Sequence, residues 1–120
     1  MKQIIQNYFE SWIEKDVKTI RRVFAQDIVY TECYGPQYHG LDQIVSWFND
    51  WNERGSVLEW TIRRIFETGK TVIVEWYFKC DYDQRVSGFD GVTIADFNDE
   101  GKIFCLKEFQ SKADHVYPYD

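Results

Sequence analysis

Residues 72–80, VIVEWYFKC, carry the pattern that decides the fold. Large apolar side chains recur at every second position, and the charged Glu75 and Lys79 lie between them. A side-chain period of two is that of a β-strand with one buried face. The apolar face of this predicted strand carries Val72, Val74, Trp76, Phe78 and Cys80. The stretch therefore predicts a strand that covers a hydrophobic core.

Similar strands are predicted on both sides of this stretch. Residues 57–66 alternate in the same way, and one face carries Leu58, Trp60 and Ile62. Residues 89–97 and 103–110 form two more predicted strands, and the turn sequence NDEG at 98–101 separates them. The second half of the chain is therefore predicted to be an antiparallel sheet.

The first half has the periodicity of helices instead. Apolar side chains recur at three- and four-residue spacing along residues 4–13, which predicts an amphipathic helix. Asp16 offers a side-chain oxygen to cap a second helix, and a third helix is predicted at about 41–53. Between them lie a short strand at 28–32 and an irregular segment at 34–40, which Gly and Pro interrupt.

Helices that precede a run of strands are typical of an α+β fold. We expect a cone-shaped, curved antiparallel sheet wrapped over three N-terminal helices. The length of 120 residues suits one domain, so residues 1–120 are predicted to fold as a single unit.

Composition excludes several classes of function. The net charge of −6 repels phosphate backbones, which disfavours a nucleic-acid partner. No stretch is long and apolar enough to span a membrane, and the N-terminus lacks the apolar run of a signal peptide. Three cysteines, an odd and widely spaced set, predict reduced thiols and a cytoplasmic location.

The chemistry-bearing motifs are equally sparse. The two histidines have no metal-ligand spacing, and no nucleotide-binding loop or nucleophile elbow occurs, so neither a metal nor a cofactor is predicted. The aromatic content of 18%, by contrast, is high for a chain of this size. Large rings pack with gaps, and gaps near a surface become pockets for small molecules.

Four stretches together resemble the nuclear-transport-factor-2-like (NTF2-like) superfamily and its SnoaL-like branch. They are WIEKD at 12–16, FAQD at 24–27, HGLDQI at 39–44, and FDGV at 89–92 followed by DFNDEGKI at 96–103. The resemblance implies a cone whose open end holds a small, mostly apolar ligand, and homodimers through the outer face of the sheet. The family includes ketosteroid-isomerase-like enzymes, polyketide cyclases, dehydratases, epoxide hydrolases and non-catalytic modules, so the fold does not determine the function.

One pattern of that family can be stated in physical terms. A ketosteroid isomerase combines a carboxylate base on the first strand with a Tyr and a neutral Asp that donate to an enolate oxygen. By position, the resemblance implies Glu32 as the base and Tyr8 as the oxyanion donor, and Thr93 stands near the place of the Asp. Thr is a weaker acid than a carboxyl group, which disfavours steroid isomerisation but is compatible with proton transfer at carbon.

Each candidate also has a structural interpretation. Glu32 either faces the cavity, where burial would raise its pKa, or is a rim carboxylate that pairs with an arginine or caps a turn. Tyr8 is alternatively a core residue bonded to a backbone carbonyl. Asp90 is either a second cavity carboxylate or a partner of the neighbouring strand's backbone. Glu108 is either an acid of the cone or the partner of Arg64.

The predicted ligand-binding residues are mostly aromatic. Trp12, Trp60 and Trp76 are expected to converge from one helix and two strands, and His39 is expected near the mouth of the cone. The full predicted lining is Trp12, Tyr30, His39, Trp47, Trp60, Trp76, Phe78, Thr93 and Glu108. Such rings either leave a slot for a small apolar or aromatic molecule or fill the cone completely.

Two functions are compatible with these residues. The first is a cofactor-free isomerase, cyclase or lyase that acts on a small carbonyl or cyclic substrate, with Glu32 as general base and Tyr8 and Asp90 as further catalytic residues. The second is a non-catalytic module that binds a small molecule or dimerises.

Overall fold

The computed structural model describes all 120 residues, in three helices and six strands. The helices are α1 (Lys2–Glu14), α2 (Val17–Val23) and α3 (Leu41–Arg54). The strands are β1 (Phe24–Thr31), β2 (Gln37–His39), β3 (Gly55–Thr68), β4 (Thr71–Tyr82), β5 (Arg85–Phe97) and β6 (Ile103–Ser111). The α+β class predicted from the order of helical and strand periodicity is confirmed.

The first two helices form for the local reasons that the sequence predicted. Helix α1 buries one apolar stripe and ends at Lys15, which adopts the left-handed conformation with φ 56°. Asp16 then caps α2, because its carboxylate accepts the amide hydrogens of Lys18 and Thr19. The hydroxyl of Thr19 also bonds to this carboxylate, and these bonds lower the pKa of Asp16.

The strands form one curved sheet in the order β2-β1-β6-β5-β4-β3, and the sheet does not close. Neighbouring strands are antiparallel except for β1 and β6, which run parallel. After β1 the chain forms β2, α3 and the long strands β3, β4 and β5. Strand β6 then pairs with β1 and runs in the same direction. The predicted antiparallel sheet therefore contains one parallel pair, and this pair carries the candidate site.

Two details of the strands differ from the predicted pattern. Residues 37–39, predicted to be irregular, form β2, in which Tyr38 lies opposite Tyr30. In β3, Leu58 is the extra residue of a β-bulge between Val57 and Glu59, and its side chain is 49% exposed. Strict alternation, which placed Leu58 beside Trp60, is wrong at this position because the bulge shifts the face by one residue.

The hydrophobic core lies between the helices and the concave face of the sheet, where α1 packs against β3. Its largest fully buried side chain is Trp76 of β4, whose indole N–H donates to the Thr93 hydroxyl at 2.8 Å. A Cβ at Gly91 would lie 2.2 Å from the Trp76 ring, so glycine at this position lets the ring lie against β5. None of the helices is long and apolar enough to cross a membrane.

Candidate functional site

A cavity of about 600 Å³ opens on the concave side of the sheet. Twelve of its 17 lining residues are hydrophobic. Nine of the lining residues are aromatic: Trp12, Tyr34, Trp47, Trp51, Trp60, Trp76, Phe78, Tyr82 and Phe89. Volume and lining are those of a site for a small, largely apolar molecule.

The base of the cone, in contrast, is packed. The rings of Phe9 and Trp60 stack with centroids 3.9 Å apart and planes at 5°, and Tyr8 and Trp76 meet Trp60 edge to face. The sequence left open whether the cone is filled or hollow. Its base is filled by packed rings, and its other end is the open cavity.

Glu108 of β6 is the acid most strongly affected by this interior. Its carboxylate accepts a 2.6 Å hydrogen bond from the hydroxyl of Tyr30 and lines the cavity. Burial raises the pKa of Glu108 to about 8, and the charge of Glu32 adds to the rise, whereas the Tyr30 hydroxyl and the Cys33 amide oppose it. The alternative in which Arg64 pairs with Glu108 is wrong, because Arg64 binds Glu75 at 2.8 Å.

Glu32 follows directly after β1 and lines the same cavity. It forms no ion pair, and the Tyr38 hydroxyl donates to its Oε2 at 3.2 Å. Burial raises the pKa of Glu32, and this hydrogen bond partly offsets the rise. The interpretation of Glu32 as a rim carboxylate paired with an arginine is therefore wrong.

The parallel pairing of β1 and β6 explains why the two acids meet. Thr31 lies opposite Lys107, so the next position on each strand brings Glu32 beside Glu108. Side chains at matching positions of neighbouring strands point to the same face. Two carboxyl groups that are 76 positions apart in the sequence thus share one apolar wall.

Tyr8 and Tyr30 lie behind this wall and do not line the cavity. Both are fully buried, and their hydroxyl oxygens are 2.6 Å apart. Burial raises the pKa of both phenols well above the ordinary value. Tyr8 is therefore not placed as a direct oxyanion donor, because it does not line the cavity and its hydroxyl is bonded to Tyr30.

Three further predicted site residues also lie away from the cavity. Asp90 points to the outer face of β5 and pairs with Arg63 at 2.9 Å, because the inward positions of this strand are 89, 91 and 93. His39 is exposed on β2, where its ring bonds to the Gln37 side chain. The hydroxyl of Thr93 is occupied by Trp76.

Several lining residues were not predicted. Phe89 belongs to the inward positions of β5, and the alternation Phe89, Gly91, Thr93 would have revealed it. Cys33 lines the cavity beside Glu32, because β1 has ended at Thr31 and strict alternation no longer holds. Burial raises the pKa of the Cys33 thiol to about 12, so the thiol is not a nucleophile. No group of three or more His, Cys, Asp or Glu side chains is placed to hold a metal ion.

Comparison with known proteins places this geometry in context. A family model described as a SnoaL-like domain matches residues 5–105. No curated protein matches the sequence significantly.

Many solved structures share the fold. An epoxide hydrolase of M. tuberculosis described as LEH-like is 16% identical, with a TM-score of 0.82 over 91% of this chain and 80% of that one. A Shewanella denitrificans protein described as a SnoaL-like polyketide cyclase is 20% identical, with a TM-score of 0.76 over 92% and 89%. A Catenulispora acidiphila protein with a ketosteroid isomerase-like fold, in complex with trimethylamine, is 18% identical, with a TM-score of 0.79 over 92% and 85%. At these identities the likeness is one of fold.

Proposed function

The chain belongs to the SnoaL-like domain family, and on that premise we propose that it is a cofactor-free enzyme of the isomerase, cyclase or lyase type. Its substrate is a small carbonyl or cyclic compound held in the aromatic cone. The observation that carries this proposal is the pair of carboxyl groups, Glu32 and Glu108, in one apolar wall.

The two acids are suited to opposite roles. With a pKa of about 8, Glu108 keeps its proton at neutral pH and can donate a hydrogen bond or a proton to an oxygen. The pKa of Glu32 rises less, so Glu32 is the more acidic of the pair and serves as the carboxylate base. Environments that push two neighbouring carboxyl pKa values apart are the usual way in which one site holds both an acid and a base.

The reaction follows from these roles. Glu32 removes a proton from the carbon next to a carbonyl group, and the electron pair moves onto the carbonyl oxygen. Protonated Glu108 donates to that oxygen as its charge develops, from a largely apolar wall. The aromatic rings of Trp47, Trp60 and Phe78 hold the apolar body of the substrate. The enzyme names carried by two of the similar structures, epoxide hydrolase and polyketide cyclase, support chemistry inside such a cone.

Hydrogen exchange at carbon tests the proposal without knowledge of the natural substrate. We would incubate the protein in D₂O with a panel of small cyclic ketones, cyclopentanone to cyclooctanone, and follow loss of the α-hydrogen signal by NMR. We expect exchange above the buffer rate, and Glu32→Gln to reduce it about 10²–10⁴-fold, which is the usual contribution of a positioned base. Glu10→Gln, an exposed carboxyl on α1, is the matched control and should leave the rate unchanged. Exchange that survives in Glu32→Gln would refute the role of this base.

A second candidate is a non-catalytic module that binds a small organic cation. The cavity is lined by Glu32, Asp83 and Glu108 among aromatic faces. Asp83 pairs with Arg54, and the one lining arginine, Arg85, is exposed. Aromatic faces and carboxylates attract alkylammonium ions, and the similar Catenulispora acidiphila protein was solved with trimethylamine. A bound cation would ionise Glu108, so tetramethylammonium should bind more tightly at pH 9 than at pH 6 and release a proton on binding. Calorimetry in buffers of different ionisation enthalpy separates this behaviour from the acid–base proposal, which needs Glu108 to stay protonated.

We also propose that two copies associate through the outer face of the sheet. Phe66 of β3 and Phe109 of β6 are 52% and 46% exposed, and both strands belong to the same sheet. The three free cysteines favour a reducing compartment, the cytoplasm. Light scattering coupled to size exclusion, with Phe66→Ser and Phe109→Ser in one variant, tests the association, and a monomeric wild-type protein would refute it.

A further inference from the structure

A chain of polar groups runs from α1 to Glu108 through the buried base of the cone. The Tyr30 hydroxyl lies 2.6 Å from the Oε2 of Glu108 and 2.6 Å from the hydroxyl of Tyr8. Near Tyr8 lies the indole N–H of Trp12, which is buried and has no hydrogen-bond partner. Neither tyrosine touches solvent.

The far end of this chain decides the direction of every bond in it. An indole N–H donates and never accepts, so Trp12 cannot receive a hydrogen from Tyr8. If Glu108 donated to Tyr30, Tyr30 would donate to Tyr8, and the hydrogen of the buried Tyr8 hydroxyl would have no acceptor. A buried donor without a partner costs about 1–3 kcal/mol. The stable arrangement is therefore the reverse, in which Tyr8 donates to Tyr30 and Tyr30 donates to Glu108.

We propose that Tyr8 and Tyr30 are positioning residues, which hold Oε2 of Glu108 as an acceptor and thereby place the acid proton on Oε1. Oε1 receives no hydrogen bond from a side chain, the backbone amide of Cys33 lies near the carboxyl group, and Glu108 lines the cavity. This inference rests on the proposed role of Glu108 as the acid of the reaction. It narrows the substrate to a compound whose acceptor oxygen, such as a carbonyl oxygen, can reach Oε1.

The same hydrogen bonds also favour the loss of the proton from Oε1 of Glu108. When Oε1 gives up its proton, the negative charge spreads to Oε2, and the Tyr30 bond becomes charge-assisted and stronger. The Tyr8 hydroxyl polarises Tyr30 in the same direction, because hydrogen bonds in a row strengthen one another. The hydrogen bonds from Tyr8 and Tyr30 thus stabilise ionised Glu108 more than protonated Glu108. Such a difference is the condition for an effect on the rate of proton donation.

Titration of Glu108 tests the positioning role directly. Carbon NMR of protein labelled at the glutamate δ-carbon follows the carboxyl, and Glu108→Gln identifies its signal. Tyr30→Phe removes one oxygen and should raise the pKa of Glu108 by about one unit, a tenfold change in its ionisation constant, since a donor to the charged form is lost. Tyr8→Phe should raise it by less. Tyr82 lies in the cavity wall but takes no part in the Tyr8–Tyr30–Glu108 hydrogen bonds, so Tyr82→Phe should leave the pKa of Glu108 unchanged.

Further readouts separate this inference from the proposed function. Tyr30→Phe should lower the ketone exchange rate at saturation without changing the KM, whereas a merely structural residue would not move the titration of Glu108. In the unmodified protein, the Tyr30 hydroxyl proton should be a slowly exchanging downfield signal that shifts as Glu108 titrates. If Tyr30→Phe leaves the Glu108 titration in place, the inference is wrong even when exchange is observed. If the titration moves and no ketone exchanges, the positioning of the proton holds and the proposed reaction fails.

Discussion

The two faces of the sheet shift the pKa of a glutamate in opposite directions. Glu75 on the outer face of β4 binds Arg64 at 2.8 Å, and this hydrogen bond lowers its pKa. Glu108 on the inner face of β6 binds the neutral Tyr30 hydroxyl, and burial raises its pKa to about 8. Two arginines of the sheet, Arg63 and Arg64, point outward and neutralise outer acids. The pKa of an acid of this sheet is therefore raised where the acid lies in the apolar interior without a paired cation.

The largest expected effect compares aromatic residues on the two faces. Trp76→Ala removes a fully buried ring and should lower the free energy of unfolding by about 3–5 kcal/mol. At protein concentrations too low for association, Phe66→Ala removes a ring that is 52% exposed in the single chain and should change this free energy by less than about 1 kcal/mol. Urea denaturation followed by fluorescence and circular dichroism measures both. Similar losses for the two variants would mean that the outer face is as buried as the inner one in solution.

The next effect compares how Glu108 and Glu75 link stability to pH. The raised pKa of Glu108 means that the folded protein holds a proton that the unfolded chain has lost, so stability should fall as the pH rises from about 4.5 to about 8. Glu108→Gln should remove this slope and make the protein more stable than the wild type at pH 9, by roughly 2–4 kcal/mol.

Glu75→Gln is the control and should act with the opposite sign. Its lowered pKa stabilises the folded state above the unfolded pKa, and this contribution is lost as the pH falls through the folded value. Thermal denaturation between pH 4 and 9 measures all three proteins. A Glu108→Gln variant that is less stable than the wild type at pH 9 would contradict the buried, uncompensated acid.

The smallest effect concerns the coupling between the two acids of the wall. Glu32 is one of the groups that raise the pKa of Glu108, so Glu32→Gln should lower the Glu108 pKa by less than the shift expected from Tyr30→Phe. Glu75→Gln, on the other face, should not move it. The carbon NMR titration described above detects both changes, and an unshifted Glu108 in Glu32→Gln would show that the two carboxyl groups do not share a site.

Local patterns in the sequence were sufficient for the elements, and the family resemblance drew attention to one acid. The alternation in residues 72–80 predicted β4 and its inward face, and Asp16 predicted the start of α2. If Glu32 faced the cavity, burial was expected to raise its pKa, and Glu32 lies in the wall with a raised pKa. Strand period and capping depend on residues within a few positions of one another, so the sequence displays them directly.

The remaining site residues depended on register. Asp90 and Tyr8 were candidates by position along the chain, yet one pairs with Arg63 outside the cone and the other bonds to Tyr30 behind the wall. The bulge at Leu58 also shifts which residues of β3 face inward. A one-residue change of register moves every side chain to the opposite face, and no local pattern records such a change.

By itself, then, the sequence determined an acidic α+β domain with an aromatic interior, because periodicity and composition are local properties. Only the tertiary structure decided that Glu108, and not Asp90, stands beside Glu32, because that neighbour relation arises from the parallel pairing of strands far apart in the chain. The altered pKa of Glu108 has the same origin, since it depends on the burial and on the partners that this pairing creates.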